Sequence, residues 1–176
     1  GSYLFDRRTG YLAAFLFSLN GLLLSLVGGR KATDHVDVFF MFFILLSVYL
    51  SIHYCRKEKF IYAVLVGVST GLAILSKWLP ALIVLPIWLL LAWDSGKFSP
   101  KTIVLHFVLI VITLTAVFLP WQLYIFSAFP REAAWESNYN VHHLFEGLEG
   151  HSGTIFYYLN RIRINYGELI YLPLGW

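Results

Sequence analysis

Residues 103–125 read Ile-Val-Leu-His-Phe-Val-Leu-Ile-Val-Ile-Thr-Leu-Thr-Ala-Val-Phe-Leu-Pro-Trp-Gln-Leu-Tyr-Ile, and this run decides the fold class. It contains no Asp, Glu, Lys or Arg. A helix needs about 20 apolar residues to cross the hydrocarbon core of a bilayer, and the run supplies them. Its apolar residues are continuous rather than alternating. That excludes a β-barrel and requires a helix, which satisfies its own backbone hydrogen bonds in lipid.

Working outward, four more apolar stretches precede it, at residues 11–28, 38–52, 60–75 and 78–93, and another span opens near Gly167 and reaches Trp176. The expected fold is therefore all-α, a polytopic transmembrane helical bundle. Its organisation is a five-span region over 1–126, an extracytoplasmic loop with a polar site and an interfacial helix over 127–166, and the start of a further span over 167–176. Several stretches are short for a straight crossing, so their polar neighbours sit at headgroup level or the bilayer thins locally. Asn20-Gly21 marks a kink or a close helix contact in the first stretch. Pro80 suits the first turn of the fourth helix, and Pro120 a bend late in the fifth.

Composition agrees. Hydrophobic residues make up 59% of the 176 and charged ones 13%, with a mean hydropathy of +0.70. A soluble domain keeps roughly 25% of its residues charged. The net charge of +3 does not point to nucleic acid, because the basic residues lie between spans rather than along one stripe. Cys55 is the sole cysteine, so no internal disulfide forms, and it reads as an unreactive thiol at a helix end. The sequence opens Gly1-Ser2 with no signal peptide and is expected to be an excerpt of a longer protein.

The connections alternate in character. Those around Arg7-Arg8, Arg56-Lys57-Glu58-Lys59 and Lys97 to Lys101 are short and carry seven of the 13 Lys and Arg residues. The other side has Arg30, Lys31 and Lys77 in short connections and Arg131, Arg161 and Arg163 in the long one. The positive-inside rule places the short basic loops in the cytoplasm. The expectation is a multi-pass membrane protein with the long connection on the extracytoplasmic side. Trp78, Trp93 and Trp121 fit an interfacial aromatic belt.

Three constellations carry possible chemistry. The first is Gly29-Arg30-Lys31-Ala32-Thr33-Asp34-His35-Val36-Asp37, at the start of the second span. On a helix, Asp34 and Asp37 share a face. They read either as carboxylates over a lipid-linked substrate whose phosphate Arg30 or Lys31 holds, or as a helix cap and first-turn acid favoured by the dipole. The second is Ser76-Lys77-Trp78-Leu79-Pro80. Lys77 either snorkels to the headgroups or binds an anionic phosphate as a point charge.

The third lies in the long loop, where Tyr139, His142, His143, Glu146, Glu149 and His151 crowd together. Connectors are usually shorter, so this density reads as a substrate-facing segment. The His and Glu side chains can also hold a divalent metal, although their spacing matches no closed zinc site. Arg161 and Arg163 with Tyr157, Tyr158 and Tyr166 read as an interfacial helix.

The order of these motifs carries a resemblance. Arg30-Lys31-Ala32-Thr33-Asp34 precedes a phenylalanine-rich span; the third span ends Gly71-Leu72-Ala73-Ile74-Leu75-Ser76-Lys77. Leu119-Pro120-Trp121-Gln122-Leu123-Tyr124 follows, then Glu149-Gly150-His151-Ser152-Gly153 and Tyr157-Tyr158-Leu159. Together they resemble the bacterial relatives of protein O-mannosyltransferases and of the lipid A aminoarabinose transferase, GT-C-fold enzymes that use polyprenyl-phosphate sugars.

The resemblance implies inverting transfer of a sugar from a polyprenyl-phosphate donor to an extracytoplasmic acceptor, whether glycan, lipid or protein. It implies that the principal catalytic Asp belongs to a loop before Gly1, that Asp34 takes a supporting acidic position, and that Lys77 faces the donor cavity. The Glu149-Gly150-His151 segment would be a mobile loop closing over substrate, with a metal nearby in some relatives. Two departures bear on the acceptor: Trp78-Leu79 stands where relatives often have Gly-Pro, and Thr154-Ile155 where many have Pro-Trp. The competing readings are a transporter, which needs ionisable groups along mid-span, and a non-catalytic membrane protein that binds a lipid carrier.

Overall fold

The computed structural model describes residues 5–29, 35–145 and 156. In chain order the helices are α1 (Arg7–Ser18), α2 (Gly21–Val27), α3 (His35–Lys57) and α4 (Phe60–Lys77). A 3-10 turn (Leu79–Ile83), α5 (Val84–Asp94), α6 (Pro100–Ala128) and α7 (Pro130–Phe145) follow. No strand occurs among the described residues. The protein is an all-α transmembrane bundle, and α3, α4 and α6 are long and apolar enough to cross a membrane.

The chain divides into two units. One lies within Thr33–Ile125 and the other within Gly1–Ala32 and Phe126–Trp176. In the second unit the first apolar stretch is two helices, broken at Leu19-Asn20. Asn20 is the cause: its Oδ1 accepts the Leu23 N–H at 3.1 Å, the bond of an N-cap that starts a new helix. At the other end of α1, Asp6 Oδ1 accepts the Thr9 N–H at 2.7 Å. That bond holds the Asp6 carboxyl below its ordinary range. α7 occupies the first part of the long segment expected as a loop. Pro130 starts it, where a missing N–H costs nothing, and Glu132 stands in the first turn.

The unit within Thr33–Ile125 is built around α4. This helix buries Ala63, Val66, Gly67, Ser69, Thr70, Gly71, Ala73 and Ile74, mostly small residues. Lipid tails are as apolar as leucine, so close backbone approach rather than water exclusion holds membrane helices together. Gly67 and Gly71 provide that approach toward α6. A Cβ on Gly67 would stand 2.7 Å from the Ile110 carbonyl oxygen, and one on Gly71 would stand 2.9 Å from the Leu114 carbonyl oxygen.

Toward α3, α4 makes a hydroxyl seam. Ser47 and Ser69 hydrogen-bond through their Oγ atoms at 2.7 Å, and both are buried. Ser51 and Thr70, also buried, donate to carbonyls four residues back on their own helices. Every buried hydroxyl of the seam is thereby satisfied, as an apolar surround demands.

The stretch 78–93 begins as a 3-10 turn instead of a straight α-helix. Trp78 takes φ +65°, which breaks the path from α4, and neither Pro80 nor Pro86 has an N–H to donate. The crossing still closes. The 18 residues of α4 rise about 27 Å. The five 3-10 residues and the 11 of α5 rise together about 26 Å. α5 thus returns the chain to the level at which α4 began, and Lys97 Nζ there meets Glu58 Oε1 at 3.1 Å.

Trp88 of α5 is the largest fully buried side chain, packed near Tyr54 and Phe107. Its indole N–H has no hydrogen-bond partner among the described residues. Trp88→Phe should therefore be tolerated, because it removes an unsatisfied donor, whereas Trp88→Ala should cost about 3–5 kcal/mol by opening a cavity. Thermal melts of the two variants in detergent, compared with the parent, check the contrast.

Candidate functional site

Asp37 stands in the first turn of α3, where the helix dipole favours a carboxylate. Lys77 stands in the last turn of α4, where it favours a cation. Because α3 and α4 are consecutive and antiparallel, these two helix ends share one rim of the bundle. There Lys77 Nζ donates to Asp37 Oδ1, 40 residues away in sequence. The lysine side chain is 46% exposed and the aspartate 30%, so both remain accessible from the rim.

The backbone after Lys77 is strained. Trp78 adopts φ +65° and ψ −147°, a region in which a residue with a Cβ costs on the order of 1–3 kcal/mol. Its N–H donates to the Ile74 carbonyl at 2.7 Å and closes α4, so the chain turns sharply beside the ion pair. This is the position where the resemblance expects glycine, which would adopt the same φ without cost.

The opposite rim is basic. Arg56, Lys57 and Lys59 surround the end of α3, and Lys97 and Lys101 lie before and at the start of α6. Glu58, at φ +56°, is held across the two connections by Lys97. Between the rims, the hydroxyl of Tyr54 and Nδ1 of His106 lie 2.6 Å apart in a hydrogen bond. Trp88 and Phe98 pack against the Tyr54 ring. His106, the fourth residue of the decisive apolar run, is therefore engaged within the bundle.

On α7, Trp135 and Tyr139 stack at a centroid distance of 5.3 Å with ring planes 11° apart. The spacing of four along a helix brings them together. His142 lies on the same face one turn further and is exposed. Arg30, Lys31, Asp34, Glu149 and His151 lie outside the described residues, as does the side chain of His143, whose backbone belongs to α7. Among the described residues no three His, Cys, Asp or Glu side chains gather as a metal site.

Of the expected site residues, the structure thus brings Asp37 to Lys77. Sequence reasoning did not join them, because nothing local relates positions so far apart. It also passed over Gly67-Val68-Ser69-Thr70-Gly71, although two glycines four apart in an apolar helix are a known sign of close helix packing.

A family model described as dolichyl-phosphate-mannose-protein mannosyltransferase matches residues 2–121. The chain belongs to that family. No curated protein and no solved structure matches it. Membership makes the protein a membrane glycosyltransferase of the mannosyltransferase-like kind, as the resemblance in its motifs implied. The matched span contains α3, α4, α5 and the Asp37–Lys77 rim of the mannosyltransferase-family chain.

Proposed function

We propose that the protein transfers a sugar from a polyprenyl-phosphate donor to an acceptor on the extracytoplasmic side of the cell inner membrane, with inversion at the anomeric carbon. The observation that carries this reading is the Asp37–Lys77 pair, a carboxylate and a cation held together at one rim above apolar helices. A lipid-linked sugar phosphate needs both chemistries at such a level. Its tail lies along apolar helices while its phosphate stays at the headgroup boundary.

In the proposed reaction an acceptor hydroxyl attacks the anomeric carbon from the face opposite the phosphate. The bond from that carbon to the phosphate oxygen breaks, and polyprenyl monophosphate leaves with the bonding electrons. The acceptor proton passes to a carboxylate, for which Asp34 and Asp37 are the candidates on this chain. Lys77, with Arg30 and Lys31, stabilises the charge that grows on the departing phosphate. Tyr139, His142, His143, Glu149 and His151 contribute to the acceptor side. The acceptor is a glycan, a lipid or a protein; the family's name favours protein.

The orientation follows from charge. In the Thr33–Ile125 unit the rim holding Glu58 carries Arg56, Lys57, Lys59, Lys97 and Lys101, which the positive-inside rule assigns to the cytoplasm. The Asp37–Lys77 rim is then extracytoplasmic. A transporter would line a path with ionisable groups. Here His106 is bound to Tyr54 and the mid-span hydroxyls to one another and to backbone, which favours chemistry at a rim over conduction.

The test supplies radiolabelled polyprenyl-phosphate mannose to membranes containing the full-length protein. Label transferred to an acceptor supports the proposal. Binding of the lipid with no transfer to glycan, lipid or protein would make the protein a carrier-binding one and sink it.

A further inference from the structure

The ion pair that marks the site also occupies the group expected to hold the substrate. Lys77 is the cation that the structure places at the Asp37 rim of the Thr33–Ile125 unit, and its ammonium already donates to a carboxylate. An arriving lipid phosphate brings a second anion to the same ammonium. Lysine has three N–H donors, so both anions can touch it, but they then face each other at close range around a single positive charge. Half-exposed as the pair is, water screens this repulsion without removing it.

We propose that Asp37 competes with the lipid phosphate for Lys77 and so sets how tightly the carrier is held. This inference rests on the function proposed above and adds a regulation of that site. Asp37 is in this respect a positioning residue, acting through Lys77. The direction of the effect over a catalytic cycle follows from charge. The donor is a phosphodiester with one negative charge. Once the bond from the anomeric carbon to phosphate oxygen has broken, the lipid is a phosphomonoester carrying close to two at neutral pH. Without a competitor, Lys77 would hold the product more firmly than the donor. A carboxylate beside it penalises the doubly charged species more, so the arrangement opposes retention of spent carrier and favours its exchange for donor.

The local structure keeps the competitor in place. Asp37 belongs to the first turn of α3, which packs along α4 through the Ser47–Ser69 seam, so the carboxylate does not drift from the lysine as a loop residue would. α4 is in turn held to α6 by Gly67 and Gly71.

The experiment measures binding of a polyprenyl monophosphate and of the uncharged polyprenol to the full-length protein in nanodiscs, for the parent, Asp37→Asn, Asp37→Glu, Lys77→Gln and the Asp37→Asn/Lys77→Gln pair. Asp37→Asn should tighten the monophosphate by roughly three- to tenfold and leave the polyprenol unchanged. Asp37→Glu, which keeps the charge, should bind like the parent. Lys77→Gln should weaken the monophosphate and shrink the gain from Asp37→Asn, so the two changes are non-additive. In turnover, Asp37→Asn should lower the donor KM while kcat falls and product inhibition deepens.

Weaker or unchanged monophosphate binding in Asp37→Asn would overturn the inference, and so would equal tightening of polyprenol or strict additivity of the pair. Should the binding cycle behave as expected while no sugar is transferred under any condition, the competition stands and the proposed reaction falls.

Discussion

Lys77→Ala in the full-length protein is expected to lower kcat/KM for the polyprenyl-phosphate sugar by about 10²–10³, the usual cost of deleting one group that stabilises developing charge. Membrane insertion should be unaffected, checked by carbonate extraction. Stability cannot be the cause of such a loss. The pair with Asp37 is partly exposed, and ion pairs of that kind contribute about 0–1 kcal/mol, well below the 2.7–4 kcal/mol the activity change represents. Lys77→Arg should fall between the parent and alanine, because it keeps the charge but presents it as a planar fork. Unchanged turnover in Lys77→Ala would remove Lys77 from the donor site.

The second large effect concerns packing. Gly67→Ala and Gly71→Ala should each destabilise the bundle by about 1–3 kcal/mol or more, read as a lowered melting temperature in detergent. The added methyl at Gly67 would overlap Thr113 Oγ1 and stand 2.7 Å from the Ile110 carbonyl oxygen. The one at Gly71 would meet Val117 Cβ at 2.7 Å and the Leu114 carbonyl oxygen at 2.9 Å. The two differ in how they can be rescued. Thr113→Ala removes the closest obstacle to Gly67→Ala and should restore part of the stability, leaving the carbonyl contact and the Cβ at position 113, which stands 2.9 Å away. Val117→Ala keeps its Cβ and should not rescue Gly71→Ala. Equal rescue of both would show that α4 and α6 do not meet as described. Because Lys77 ends α4, a shift of this helix should also reduce turnover.

The two predictions differ in how far the sequence anticipates them. Lys77 and Asp37 stand out from sequence as charges at the edges of apolar runs, where an ionised group is costly unless it faces water or a partner. That each is the other's partner is not legible, since the pairing depends on α3 and α4 running antiparallel at matched lengths. The glycines of α4 were visible as a spacing, but the spacing does not say which of the neighbouring helices fills the gap. Asn20-Gly21 reads as a kink or a close helix contact and is a full break, because the Asn20 side chain caps a new helix. The stretch after Lys77 reads as a plain helix by hydropathy, which is blind to backbone angle. The positive φ of Trp78 and the two prolines make it a 3-10 turn and a shorter α-helix.

What the sequence settled alone is the solvent: runs of uncharged residues long enough to cross lipid allow only helices, because an unsatisfied backbone group in hydrocarbon is too costly. Motif order carried the family as well. What only the tertiary structure decided is which polar groups meet. Hydropathy places each helix in the bilayer independently of its neighbours. Contacts such as Asp37 with Lys77, Ser47 with Ser69 and Tyr54 with His106 depend on the rotation and register of one helix against another. Those are fixed by side-chain packing across the bundle rather than by any local run of residues.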